Sequence, residues 1–180
     1  MKKIIHALLL IIIIATVGCR QKEEPKAPYQ FPTGPVQAGP LQAQDDVRIL
    51  KEAVKNDPRN IDAWIKLGNI MMDSSRFNEA IEAYQKALAI DPKNVDVRVD
   101  MGTCYRNAGR PDAAVKEYRK ALEINPKHPN GRKNLAVVLA YDLHDNKQAA
   151  KEFEKYLELD PDAPDAAQIR QEIQKLKSAK

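Results

Sequence analysis

Between residues 61 and 92 the apolar positions fall at helical spacing twice, with one break between them. Ile61, Trp64, Leu67, Gly68 and Met71 recur at intervals of three and four, as one face of a helix requires. Ser74-Ser75-Arg76-Phe77 interrupts the pattern, and Ala80, Ile81, Tyr84, Leu88 and Ile90 resume it. Two helices joined by so short a turn predict an antiparallel hairpin. Asp91-Pro92 ends the second helix, because proline has no N–H to donate and pushes the residue before it out of the helical region. The pattern then repeats. Thirty-four residues on, the slots of Trp64, Leu67, Gly68, Met71, Ala80, Tyr84, Ala87 and Pro92 hold Arg98, Met101, Gly102, Tyr105, Ala114, Tyr118, Ala121 and Pro126. A third copy holds Arg132, Leu135, Ala136, Leu139, Ala149, Phe153, Tyr156 and Pro161, with one extra residue in its internal turn. Small residues at 68, 102 and 136 and at 80, 114 and 149 let the paired backbones approach, and Tyr84, Tyr118 and Phe153 fill the space opposite. A unit of this length cannot bury its apolar face alone, so the copies stack into an array.

These slots resemble the W-x2-L-G-x2-Y…A-x3-F…P signature of the tetratricopeptide repeat family over residues 61–163. The departures are Arg98 and Arg132 in the tryptophan slot, Ala136 for glycine, and Tyr156 for a small residue. The resemblance implies an all-α fold, a right-handed α-solenoid of helix-turn-helix repeats at 61–94, 95–128 and 129–163. It also implies a surface that holds another protein or a peptide. Residues 45–58, closing on Asp57-Pro58, match only the second helix of a repeat and are expected to shield the first full one. A capping helix is expected over 164–177, with Ile169, Ile173 and Leu176 on one stripe and Lys175 and Lys177 near its negative end. The array with both caps spans 45–180.

The N-terminus follows other rules. Met1-Lys2-Lys3 precedes Ile4 to Val17, an aliphatic run broken only by His6 and Thr16. As a helix this run is about 21 Å long, short of the ~30 Å hydrocarbon core, which suits a signal peptide over residues 1–18. Ala15-Thr16-Val17-Gly18-Cys19 resembles the cleavage box of bacterial lipoproteins. The resemblance implies that Cys19 becomes the lipidated first residue of an exported, membrane-anchored protein on the periplasmic side. Arg20 after it favours the outer membrane if the source is Gram-negative. The alternative is an ordinary cysteine ending an uncleaved anchor. Residues 20–44, with Pro25, Pro28, Pro32, Pro35 and Pro40, have too little apolar content to fold and are expected to form a tether. It is long enough to hold the array up to roughly 75 Å from the bilayer. Tyr29-Gln30-Phe31-Pro32 is its one aromatic spot.

Charge and chemistry narrow the function by subtraction. The formal net charge of +4 becomes +2 without Lys2 and Lys3, too little for the basic field of a nucleic-acid partner. With Cys19 lipidated, Cys104 has no intramolecular partner and reads as a small packed side chain. His128 and His144 sit in turns without a second ligand at metal spacing. No phosphate loop, nucleophile elbow or H-E-x-x-H motif is present. No enzyme, metal or cofactor is expected.

By the family resemblance, the first helix of each repeat lines the groove. Its inward positions are Ile65, Asn69, Met72 and Asp73, then Val99, Thr103, Arg106 and Asn107, then Lys133, Val137, Ala140 and Tyr141. Asn69, Thr103 and Asn107 suit a peptide backbone, Arg106 and Lys133 a carboxylate, and Met72, Val137 and Tyr141 apolar side chains. Two functions stand open: an adaptor that binds a peptide or protein partner in a cell-envelope assembly, and a self-associating structural module contacting through the half-repeat at 45–58.

Overall fold

The structure, a computed structural model, describes residues 40–178, with side chains from residue 44. The expected signal peptide, Cys19 and the Tyr29–Pro32 segment lie outside the described residues. Within them are eight α-helices and no strand: α1 (Pro40–Asn56), α2 (Ile61–Asp73), α3 (Phe77–Ile90), α4 (Val95–Asn107), α5 (Pro111–Ile124), α6 (Pro129–Tyr141), α7 (Asn146–Leu159) and α8 (Ala166–Ser178). One boundary moves. Helix α1 starts at Pro40, inside the stretch expected to be tether up to residue 44. Proline presets φ for a first helical position, and Leu41, Gln42, Ala43 and Gln44 are sound helix formers. The lack of apolar periodicity there was the wrong signal.

Two kinds of corner set the array. Between repeats, an Asx-Pro pair closes one helix and a cap opens the next. The backbone N–H groups of Arg59 and Lys93 donate to Asp57 and Asp91 at 3.0 Å, and that of Lys127 to Asn125 at 3.1 Å. Asn60, Asn94 and His128 then accept from the N–H groups of Ala63, Val97 and Gly131 at 3.0, 3.1 and 2.9 Å. Each such cap stabilises its helix by about 1 kcal/mol. Within repeats, Ser75, Gly109 and His144 turn the chain at φ of 58°, 73° and 55°. Of the three, only Gly109 takes this left-handed conformation without steric cost.

Packing follows the hairpin pattern. Helix α2 pairs with α3, α4 with α5 and α6 with α7, and each second helix packs on the first helix of the next repeat. Tyr84, Tyr118 and Phe153 lie at the hairpin centres, each no more than 1% exposed. A Cβ on Gly102 would stand 2.6 Å from Tyr118 Cε1, and Gly68 faces Tyr84 as tightly, so both rings need a bare backbone opposite. Helix α4 also touches α6 directly, while no second helix makes a comparable contact with the next one. At the far end α8 buries Ile169, Ile173 and Leu176 and exposes Arg170, Gln171 and Gln174, giving the array a polar end face.

The tryptophan slot shows how two side chains serve one purpose. Trp64 donates its indole N–H to the carbonyl of Pro58 at 3.0 Å. Arg98, in the same slot, donates to Pro92 at 2.8 Å, and Arg132 does so to Pro126. Each arginine also brings a charge, which a carboxylate on the second helix meets: Arg98–Glu117 at 2.7 Å and Arg132–Glu152 at 2.6 Å. Lys120 and Lys155 complete the triads at 2.9 and 2.7 Å. In the first repeat the carboxylate slot holds Ala83 and the cation slot Trp64.

Candidate peptide-binding groove

The inward slots of the first helices are less open than their sequence suggests. Asn69, Thr103 and Val137 occupy one slot, and their polarity tracks the ring behind them. Tyr84 donates to Asn69 Oδ1 at 2.8 Å, and Thr103 Oγ1 lies 3.0 Å from the Tyr118 hydroxyl. Behind Val137 stands Phe153, which has no hydroxyl to satisfy, and Val137 packs against the core. Thr103 also reaches the Val99 carbonyl at 3.2 Å. Burial pushes both tyrosines up, Tyr118 to about 12, so both stay protonated. Asn69 and Thr103, expected to meet a peptide backbone, each also bond a tyrosine hydroxyl from the second helix, and Asn69 stays exposed. Val99 and Ala140 are each 5% exposed and belong to the core.

The two cations are already paired. Arg106 Nε donates to Asp142 at 2.6 Å. Lys133 Nζ donates to Asp165 at 3.1 Å and stands 5.6 Å from the Tyr156 ring centroid, within cation–π range. Tyr156 donates to the other Asp165 oxygen at 2.8 Å. Burial works to raise the Asp165 carboxyl, but the bonds from Tyr156 and Lys133 and the ammonium charge outweigh it and hold the group below the usual carboxylate range. The first pair joins the second repeat to the third, and the second joins the third repeat to the C-terminal cap. A third contact, His128 Nε2 with Asp96 Oδ1 at 2.9 Å, ties the start of α4 to the N-cap of α6. Because His128 Nδ1 accepts the capping N–H of Gly131, a neutral ring carries its proton on Nε2 and donates it to Asp96.

What remains on the inner face is mixed. Asp73, Asn107 and Tyr141 are exposed, Tyr141 at 53%, and Met72 is half-buried with its sulfur 3.9 Å from the Tyr84 hydroxyl. Asp100, which sequence reasoning passed over, stands near Asp96 and Asp73. Burial first, and then those two charges, push its carboxyl up, with His128 acting in the other direction. Asp142, Asp165 and Asn134 were missed as well, since their contacts reach 31 to 36 residues back along the chain. His128 was the legible one, because it falls in the capping slot of Asn60 and Asn94. The thiol of Cys104 is fully buried, and burial followed by the Asp100 charge pushes it up to about 12. That is a packed side chain, not a nucleophile. Among the described residues no group of His, Cys, Asp and Glu is arranged to hold a metal, and no helix is long and apolar enough to cross a membrane.

Comparison with known proteins agrees with this architecture. The tetratricopeptide repeat family model matches residues 71–136 and 106–173, which together cover more than half of the chain. No curated protein matches it. Among solved structures, a crystal structure of MamA is similar at a TM-score of 0.69 and 23% identity, over 75% of this chain and 73% of that one. The first TPR of Spaghetti (RPAP3), bound to the HSP90 peptide SRMEEVD, is similar at 0.61 and 23% identity, over 68% and 97%. The Sgt2 TPR domain from Aspergillus fumigatus is similar at 0.58 and 24% identity, over 65% and 76%. At these identities the likeness is one of fold. With the stacked hairpins, their 34-residue slots and the family match, the chain belongs to the tetratricopeptide repeat family.

Proposed function

We propose that this protein is a membrane-tethered adaptor, exported and lipidated at Cys19, whose repeat array holds a peptide or protein partner in a bacterial cell-envelope assembly. The observation that carries the binding role is the inner face of the first helices, where the Tyr141 ring stands more than half exposed one turn on from Val137, its hydroxyl bonded to Glu172 of α8. A large aromatic ring left exposed on this face is suited to anchor a partner. The fold is shared with a repeat domain bound to a peptide, which supports a peptide-binding use here too. The anchor rests on Gly18-Cys19 and the short aliphatic run before it.

The pairing of Arg106 and Lys133 changes the expected ligand chemistry. An acidic group of the partner gains only by exchange with Asp142 or Asp165, and exchanging one ion pair for another is nearly neutral. Affinity then comes from Tyr141, Val137 and Met72, with Asn107 orienting the backbone. Crosslinking the full protein in its own membranes and isolating its partner tests the reading. A partner lost with Tyr141→Ala supports the groove; capture unaffected by that change counts against it. Cys19→Ala should abolish palmitate incorporation and leave an unprocessed precursor, and unchanged labelling would rule out the lipid anchor.

A further inference from the structure

A cavity of about 270 Å³ opens between α1, α2 and α3, and none of the groove residues lines it. Val54, Trp64, Leu67 and Ala83 form its apolar base, while Lys51, Glu79, Glu82 and Lys86 stand exposed around it. Its volume falls just under the ~300 Å³ at which drug-sized sites begin, so it suits one or two side chains.

The later repeats show what belongs in this place. Ala83 occupies the slot of Glu117 and Glu152, whose carboxylates accept from Lys120 and Lys155 three residues on. The lysine persists in the first repeat as Lys86, with Ala83 in place of the carboxylate three residues before it. The arginine that supplied the second cation is replaced by Trp64, whose indole N–H is spent on Pro58. The charge balance points the same way. Arg76 holds Glu79 through both carboxylate oxygens. Lys51 and Lys86 against Glu82 then leave the cavity one positive charge in excess. A monoanion with an apolar neighbour complements it.

We propose that this cavity is a second binding site, which takes a glutamate of a partner protein together with an adjacent apolar side chain. The carboxylate stands beside Lys86, as Glu117 stands beside Lys120, and the apolar side chain rests on Trp64 and Val54. The site rests on the reading of the array as a module that holds a protein partner, but it does not depend on the groove. Its lysines are exposed, so the carboxylate adds selectivity more than affinity, and added salt weakens it.

Trp64 is the only tryptophan of the chain, so its fluorescence reports the cavity directly. The full chain is titrated with the end-blocked pentapeptide Ala-Leu-Glu-Leu-Ala and with its glutamine analogue. A saturable change in Trp64 emission is expected at millimolar peptide, with binding of the glutamine analogue weaker by about threefold. Ala83→Glu builds in the missing carboxylate and should remove the response, while circular dichroism stays that of the parent. Lys86→Ala should bring the two peptides to equal affinity. No saturable response, or a response that survives Ala83→Glu in a folded protein, overturns the site. A response to octanoate but not to the peptide replaces the protein segment with a small carboxylate and also overturns the proposal. Tyr141→Ala should leave the titration unchanged. If it abolishes the response, the peptide lies in the groove and the second site is wrong, while the groove reading stands.

Discussion

Gly102 and Ser75 show how much a single backbone position carries. A Cβ at 102 meets the Tyr118 ring at 2.6 Å, and that ring is 1% exposed with nowhere to move. Gly102→Ala should therefore destabilise by roughly 1–3 kcal/mol, and Gly102→Leu by more, both read as a lower thermal midpoint. Ser75 and Gly109 share a turn slot, yet only the glycine is at ease with positive φ. Gly109 has nothing near its missing Cβ, so Gly109→Ala costs only the conformational penalty, about 1 kcal/mol, while Ser75→Gly should raise the midpoint. The groove carboxylates give opposite pH responses. The Asp100 carboxyl is raised in the folded state, so its charge costs stability at neutral pH, and the cost is removed as pH falls through that raised value. Asp100→Asn should stabilise at pH 7, with the gain vanishing in acid. Asp165 is held low, so its pairing contributes above the ordinary carboxylate range and is lost as pH falls through the depressed value. Asp165→Asn should destabilise at pH 7, and the difference from the parent should shrink as the solution is acidified. Either ordering reversed would contradict the assignment.

At the scale of a helix pair, the arginine and glutamate of the second and third repeats behave as one part. Arg98 and Glu117 are 12% and 9% exposed in their side chains, and Arg98 Nε is buried without a hydrogen-bond partner. Removing the carboxylate leaves a guanidinium nearly out of water, so Glu117→Ala should destabilise by about 3 kcal/mol. The first repeat already holds the apolar solution, Trp64 with Ala83. Arg98→Trp combined with Glu117→Ala should recover most of the loss. A double-mutant cycle in urea measures the coupling, and strictly additive losses would mean that the two side chains do not act together. This pairing was half legible. Arg98 and Arg132 were visible as departures from the tryptophan slot, but their partners lie 19 and 20 residues away on another helix. Only the packed hairpin shows that the glutamates answer them.

The whole array is held by contacts between successive helix pairs, and three polar ones cross the inner face: Asp96 with His128 at the N-cap of α6, Arg106 with Asp142 of the next repeat, and Lys133 with Asp165 of the C-terminal cap. In such a solenoid a local loss spreads through nearest-neighbour interfaces. Glu117→Ala should accordingly shift the melting of the array as followed by helical circular dichroism, without producing a separate early step. The same contacts rank the groove variants. Arg106→Ala removes a cation that Asp142 already satisfies, so it should weaken partner binding less than Tyr141→Ala, which removes an exposed anchor. Titration of an isolated partner against both variants checks the order, and a larger effect at Arg106 would restore the carboxylate-holding groove.

The fold could be read from the chain alone because its cause is local and repeated. Apolar residues at helical spacing, small residues facing large rings, and Asx-Pro pairs at a 34-residue period specify hairpins that must stack, whatever their partners. The candidate site could not be read the same way. Which polar groups of the inner face remain open depends on what stands behind and beside them in space. Tyr84 and Tyr118 bond Asn69 and Thr103 from the second helix, Asp142 pairs with Arg106 from the next repeat, and Asp165 pairs with Lys133 from the C-terminal cap. The sequence by itself determined the hairpins and the face they turn inward. The tertiary structure alone decided which side chains on that face are free, because a hydrogen bond or an ion pair is settled by distance in space and not by separation along the chain.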